Sequence, residues 1–263
     1  MHEVGFIGCG NMGRAMIRGI VSQGVVAPGD IVASARTRAT VDAAQAEFGI
    51  DGTLDNTQAC RASVVVLAVK PQMYEEAIAE IAPHLPEDAL LVSIAPGKSL
   101  AWLAERSGAR KIVRLMPNTP AAVGAGMTAV VPGSGCARED VEAVLRLVDS
   151  FGKSEIVPER LIDAASAAAG CSPAFVYMFI EAMADAAVRE GMPRAQAYRF
   201  ASQAVLGSAK MVQESGLHPG ALKDAVCSPG GTTIEGVRVL EERGMRSAVM
   251  EALAATAAKA ARL

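Results

Sequence analysis

Near its start the chain runs Val4-Gly5-Phe6-Ile7 into Gly8-Cys9-Gly10-Asn11-Met12-Gly13, then into a helical pattern with Met12, Met16, Ile17 and Ile20 on one face. No other feature narrows the fold as much. The first four residues read as a buried parallel strand. Strand, GxGxxG and helix in that order separate a dinucleotide-binding turn from a purely structural run of glycines. The first glycine permits the tight turn and the second lets a pyrophosphate come close. The third lets the helix pack on the strand, and the phosphates then lie at the positive helix end. Gly8, Cys9, Gly10, Asn11, Met12 and Gly13 are therefore expected to contact a cofactor.

The next strand should be Ile31 to Ser34. An acidic residue at its end, about 20 residues past the glycines, would bond an NAD ribose hydroxyl. The segment instead reads Ala33-Ser34-Ala35-Arg36-Thr37-Arg38. A hydroxyl and two guanidiniums suit a 2′-phosphate, so Ser34 and Arg36 point to NADP, with NAD as the alternative. The plainer reading is a pair of solvated arginines at a helix start. A helix over Thr40 to Phe48 follows, then a turn near Gly49 to Asn56.

Val64 to Val69 is a continuous apolar run stopped by Lys70-Pro71. Ligands of open α/β sheets bind beyond the carboxyl ends of strands, which puts Ala68, Val69, Lys70 and Pro71 beside the cofactor; Lys70 also reads as a solvated strand end. The same theme recurs in Leu90 to Ile94 before Ala95-Pro96-Gly97, and in Lys111 to Met116 before Pro117-Asn118-Thr119-Pro120. Met127 to Val131 reads as a strand, Glu139 to Phe151 as a helix and Ser154 to Val157 as a short closing strand. The fold class expected for residues 1–157 is α/β, a Rossmann-type doubly wound, mostly parallel sheet.

After Pro158 the pattern changes to helices rich in Ala, Met and Leu. Leu161 to Ala169 and Phe175 to Arg189 are apolar around most of the helix. Pro193 to Glu214, Ile234 to Arg243 and Arg246 to Ala261 complete an all-α unit expected over 158–263. About 100 residues of helix with so few polar faces would leave apolar surface uncovered in a monomer, so an obligate homodimer is expected.

Composition limits the other classes. With 51% hydrophobic and 20% charged residues the chain is globular, and a formal net charge of -3 without a basic run argues against nucleic acid. Apolar runs are broken before the roughly 20 residues of a membrane span, Ser172-Pro173 interrupting one of them. No secretory signal pattern follows Met1, so a cytoplasmic protein is expected. The five cysteines are scattered without a CxxC pair and the three histidines lie far apart, so neither disulfides nor a metal site is expected.

A second polar, glycine-rich stretch, Ser228-Pro229-Gly230-Gly231-Thr232-Thr233, runs into the helical pattern near Ile234. Its backbone N–H groups and the hydroxyls of Ser228, Thr232 and Thr233 suit a small carboxylate at a helix N-terminus. An ordinary helix cap behind a glycine loop reads the same residues. No His, Asp or Lys base stands near this turn, as an alcohol oxidation would want. Reduction of a C=N bond asks less, because a protonated imine is already electrophilic and positioning supplies most of the catalysis.

Gly5 to Gly13, Ala68-Val69-Lys70-Pro71-Gln72, Arg114 to Pro120 and Leu222 to Thr233 together resemble the pyrroline-5-carboxylate reductases, the enzymes that make proline. The similarity runs end to end, and the last block is the most specific. The resemblance implies a Rossmann domain with a helical dimerisation domain, and dimers that assemble into larger rings. It implies that Ser228, Gly230, Gly231, Thr232 and Thr233 hold the substrate carboxylate, with the Thr233 hydroxyl close to the ring nitrogen as the catalytic contact. NADPH or NADH would bind at Gly8 to Gly13, Ser34, Asn56 and Ala68 to Pro71, and one chain's turn would face the other chain's cofactor.

The chain departs from the pattern twice. Many members read Gly-Ser-Gly-Pro-Ala at Gly170-Cys171-Ser172-Pro173-Ala174, and some carry an acidic residue where Leu217 precedes His218-Pro219. Cys171 and Cys227 read as small buried residues. A hydroxyacid dehydrogenase would need a helical-domain lysine, for which Lys210 and Lys223 are the interior candidates. A nucleotide sensor would bind NADPH without turnover.

Overall fold

A computed structural model describes residues 2–260. Its N-terminal unit is an eight-stranded sheet with strands β1 (Val4–Ile7), β2 (Ile31–Ser34), β3 (Asp51–Thr53), β4 (Val64–Leu67), β5 (Leu90–Ser93), β6 (Lys111–Met116), β7 (Gly126–Pro132) and β8 (Gly152–Ile156). They lie in the order β3-β2-β1-β4-β5-β6-β7-β8. All neighbours are parallel except β6 and β7, which run antiparallel. The first six reproduce the doubly wound dinucleotide-binding order, whose chain reversal falls between β1 and β4.

The apolar runs form parallel strands because both sheet faces are covered. Val4, Phe6, Val64, Val66, Leu90 and Val92 enter one core with helices α1 (Asn11–Ser22) and α2 (Arg38–Phe48). The intervening Ile7, Val65, Leu67 and Leu91 enter a second core. Helices α3 (Asn56–Ala59), α4 (Tyr74–Ile81) and α5 (Leu100–Ser107) cover that second face. Alternate residues thus point to opposite faces, and each finds an apolar partner. The helix α6 (Arg138–Asp149) covers the first face beside α1.

Strand β3 lies where a turn is expected from the sequence. Asp51-Gly52-Thr53 carries no apolar side chain, so no periodicity marks it. Its place comes from backbone pairing with β2, and a Cβ at Gly52 would meet Val41 at 2.5 Å.

Beyond β8 come α7 (Ile162–Ala165), a π-helical segment Ser166–Cys171, α8 (Ser172–Arg189), α9 (Arg194–Ser215), α10 (Pro219–Val226), α11 (Thr232–Glu242) and α12 (Met245–Ala260). The expected helix end at Ala261 lies outside the described residues. Helix α10, absent from the sequence reading, starts at Pro219 with His218 Nδ1 accepting the Gly220 N–H at 3.0 Å. Ser172-Pro173 does not interrupt the helix before it, contrary to expectation. Glu159–Arg189 is one stretch long and apolar enough, by length and composition alone, to cross a membrane.

The described residues divide into two compact units, 2–171 with 256–260 and 172–255. The second unit has a thin core in which Ala184, Ala197 and Ala201 of α8 and α9 pack with Ile180, Met183 and Val188. Met178 and Phe200 are 68% and 67% exposed, and Tyr177, Leu206, Met211 and Met250 are also on the surface. Cys171 and Cys227 are half-buried rather than buried.

Candidate active site

Helix α1 begins at Gly10 with no side-chain cap and no acidic residue in its first turn. Its first N–H groups are left to an incoming anion. The three glycines of the motif play different parts. Gly8 has φ 98, and a Cβ there would lie 2.8 Å from Val69 Cγ1, so only glycine makes the turn without strain. Around Gly10 nothing lies within 4 Å of such a Cβ, which leaves space for a phosphate. At Gly13 a Cβ would meet Gly8 O at 3.0 Å, because helix and turn are packed together there. These features fit a dinucleotide pyrophosphate.

A groove of about 220 Å³ opens at this turn, lined by Gly8, Cys9 and Gly10 on one side and Ala68, Val69 and Lys70 on the other. Arg36 lines it as well. Ala35, Thr37, Thr40 and Met73 line it too, which the sequence reading did not assign. Thr37 caps α2 by accepting the Thr40 N–H at 3.3 Å, so a threonine pair three apart was the available signal. Arg36 and Lys70 are exposed and make no ion pair among the described residues, leaving two positive charges at the groove. Cys9 is 4% exposed, and burial pushes its thiol up, away from thiolate chemistry.

Other expected contacts stand behind the groove. Ser34 is fully buried, contrary to a hydroxyl presented to a 2′-phosphate. Its Oγ accepts the Gly8 N–H at 3.2 Å and donates to Asn56 Oδ1 at 2.6 Å. The Asn56 amide in turn donates to Glu80 Oε2 at 2.7 Å. Ser34 and Asn56 thereby hold the glycine turn from below. Asn11 is exposed on the first turn of α1, Met12 packs partly into the core, Gly13 is buried and Pro71 opens a short turn over Pro71–Met73.

Gly231 N donates to Ser228 O at 3.0 Å across Pro229 and Gly230, and Gly230 has φ 65. Proline followed by a left-handed glycine is the pattern of a type II turn. Gly231 then caps α11 without any side-chain bond, leaving the first N–H groups of that helix open. Ser228 Oγ lies beside the cap, since a Cβ at Gly231 would lie 2.3 Å from it. Thr232 and Thr233 are exposed at the same end. Uncapped amides with three hydroxyls suit a carboxylate.

Neither lysine of the dehydrogenase reading is built as a base. Lys210 pairs with Glu214 at 3.6 Å, and Lys223 pairs with Asp224 at 2.5 Å, which pushes its ammonium group up. No cluster of His, Cys, Asp or Glu suited to a metal occurs among the described residues.

Comparison with known proteins decides the relationship. The chain is 52% identical to the pyrroline-5-carboxylate reductase of Escherichia coli (strain K12) over 253 residues, covering 95% of this chain and 94% of that protein. The chain belongs to the pyrroline-5-carboxylate reductase family. The enzyme of Glycine max is 41% identical over 263 residues, 100% of this chain and 96% of that protein. Residues 159–263 match the family described as pyrroline-5-carboxylate reductase dimerisation, and residues 3–97 the NADP oxidoreductase, coenzyme F420-dependent family. The solved reductase of Coxiella burnetii superposes with a TM-score of 0.92 at 32% identity, covering 98% of this chain and 97% of that one. The Plasmodium falciparum enzyme, solved with NADP bound, gives 0.88 at 31% identity, covering 99% and 97%. Prephenate dehydrogenase of A. aeolicus, at 14% identity and a TM-score of 0.57, shares the fold.

Proposed function

We propose that this chain reduces 1-pyrroline-5-carboxylate to L-proline with NADPH, the last step of proline formation. The observation that carries this reading is family membership across nearly the whole chain, with the reductase turn Ser228 to Thr233 intact. The bound cofactor supplies a hydride from its reduced nicotinamide. The chain supplies position. The open first turn of α1 faces the pyrophosphate, and Arg36 with Lys70 adds positive charge for a 2′-phosphate.

The uncapped N-terminus of α11 and the hydroxyls of Ser228, Thr232 and Thr233 hold the substrate carboxylate. Thr233 bonds the ring nitrogen and so aligns the imine carbon for hydride transfer. No buried base is required, because the protonated imine carries its own activation. Cofactor binding is assigned to residues 1–157, and substrate binding with self-association to 158–263. The matched dimerisation family supports pairing through the exposed apolar helices, and pairing accounts for the apolar stretch Glu159–Arg189 without a membrane. A cytoplasmic homodimer, able to assemble further, follows from this reading.

The test is NADPH oxidation at 340 nm with pyrroline-5-carboxylate, alongside light scattering. Proline formation at a rate tracking NADPH loss is the expected result. An associated protein that binds NADPH and never turns over would leave the sensor reading standing.

A further inference from the structure

Beneath the carboxyl ends of β4, β5 and β6 runs a line of buried polar side chains outside the groove. Tyr74, fully buried, donates its hydroxyl to Leu67 O at 2.5 Å and accepts the Ile94 N–H at 3.1 Å. Ser93 Oγ lies 3.4 Å from the same phenolic oxygen. Arg114, also buried, donates from Nη1 to Glu159 Oε1 at 2.6 Å, and that oxygen accepts the Leu100 N–H at 2.8 Å. Ile94 and Leu100 bound the loop between β5 and α5. Each end of that loop is therefore tied to a side chain from another element.

Between the ties the loop reads Ala95-Pro96-Gly97-Lys98-Ser99, with Gly97 at φ 74. Lys98 Nζ sits 4.6 Å from the centre of the Trp102 ring, and Arg106 approaches the same ring at 5.0 Å. The loop leaves the strand next to β4, whose own end, Ala68 to Lys70, lines the groove. In a doubly wound sheet a dinucleotide extends across neighbouring strand ends. A wall at β5 is useful only if it keeps its register with β4. The Ile94 N–H reaches Leu67 O directly only at 3.5 Å, and the Tyr74 hydroxyl bridges the same two groups with shorter bonds of 2.5 and 3.1 Å, reinforcing the register of β4 with the chain after β5.

We infer that Tyr74 is a positioning residue for hydride transfer, its hydroxyl holding the 94–99 loop against the end of β4 so that the nicotinamide half of the cofactor meets a preformed wall. The inference rests on the cofactor reading proposed above. It assigns Tyr74 no contact with substrate. Removing the hydroxyl leaves only the long 3.5 Å bond from the Ile94 N–H to Leu67 O, which loosens the loop locally without touching the glycine turn.

The test compares Tyr74→Phe with Ser107→Ala. Ser107 also uses a buried hydroxyl, donating to Leu103 O at 2.7 Å, but at the far end of α5. Trp102 is the only tryptophan of the chain and reports on Lys98 above it. In Tyr74→Phe, kcat falls about ten-fold, iodide quenching of Trp102 in cofactor-free enzyme rises at least about two-fold, and the inhibition constant of 2′,5′-ADP stays within about two-fold. Ser107→Ala loses stability while keeping all three values. Equal behaviour of the two variants, or loss of 2′,5′-ADP affinity in Tyr74→Phe, overturns the inference. Should Tyr74→Phe not fold, hydrogen exchange on the unaltered protein decides. The Ile94 and Leu100 amides should exchange about 100-fold more slowly than Gly97, and equal rates overturn the inference. Failure of the unaltered protein to oxidise NADPH with pyrroline-5-carboxylate would strike the functional reading, while quenching and exchange still judge the clamp.

Discussion

Asn118 donates its side-chain amide to the carbonyl of Ala169 at 2.9 Å, the oxygen that Pro173, four residues on, has no N–H to serve. A proline inside a helix removes one backbone bond and normally breaks or kinks the helix. Here the helix passes through a π-helical segment, Ser166–Cys171, and continues into α8, and a side chain from beyond β6 adds a bond to a carbonyl of that segment. The other end of the same amide accepts the Met127 N–H at 2.9 Å, which joins β7 to the arrangement. The asparagine of the Met116-Pro117-Asn118-Thr119-Pro120 block is thus a structural bracket.

Asn118→Ala should therefore destabilise the protein by about 2 kcal/mol, because Asn118 is 8% exposed and two part-buried hydrogen bonds to the backbone are lost. The midpoint of thermal unfolding should fall by about 5 °C, read by circular dichroism. An unchanged midpoint would show that water replaces the amide.

The glycines of the turn should separate in their effects. Gly10→Ala meets open space, so it should fold normally and weaken NADPH binding about ten-fold by filling the phosphate position. Gly8→Ala puts a side chain at φ 98 against Val69 and should cost about 2 kcal/mol of stability before any binding is measured. Urea unfolding beside calorimetric titration distinguishes the two.

In its proposed role, with the guanidinium serving only the 2′-phosphate, Arg36→Ala should raise the Michaelis constant for NADPH about ten-fold and that for NADH less than about two-fold. Equal effects on both cofactors would place Arg36 among the solvated arginines.

If the hydroxyl holds the substrate as proposed, Thr233→Ala should lower turnover about 100-fold with little change in NADPH affinity. Collapse of cofactor affinity would contradict the assigned roles of the two turns.

Burial pushes the Tyr74 phenol up to about 12 from 10.0, against the lowering effect of its bonds from Ser93 and Ile94. Between those values the unfolded chain gives up the proton and the folded chain keeps it. The stabilising contribution is complete below pH 10 and is lost as pH rises towards 12, on the order of 3 kcal/mol in all. Denaturant midpoints across this range should slope downward, and the slope should flatten in Tyr74→Phe.

Much of the cofactor half was legible because its signals are local. Val4 to Gly13 states a strand, a turn and a helix in ten consecutive residues, and the groove forms where that turn meets Ala68 to Lys70. Strand β3 was not legible, since Asp51-Gly52-Thr53 owes its conformation to a neighbour's backbone. Ser34 marks the boundary between the two cases. Its position at a strand end follows from the sequence, but its hydroxyl is turned inward to Gly8 and Asn56, a choice that no residue type announces.

By itself the sequence determined the alternation of strand and helix, the two glycine turns and the family, because these rest on covalent order and on side chains within a few residues of one another. Only the tertiary structure decided which polar groups stand in the groove and which brace it, and how a helix carries Pro173. Those outcomes depend on buried hydrogen bonds between residues far apart in the chain, such as Asn118 with Ala169 and Tyr74 with Ile94, each compelled by the cost of leaving an N–H or C=O unpaired away from water.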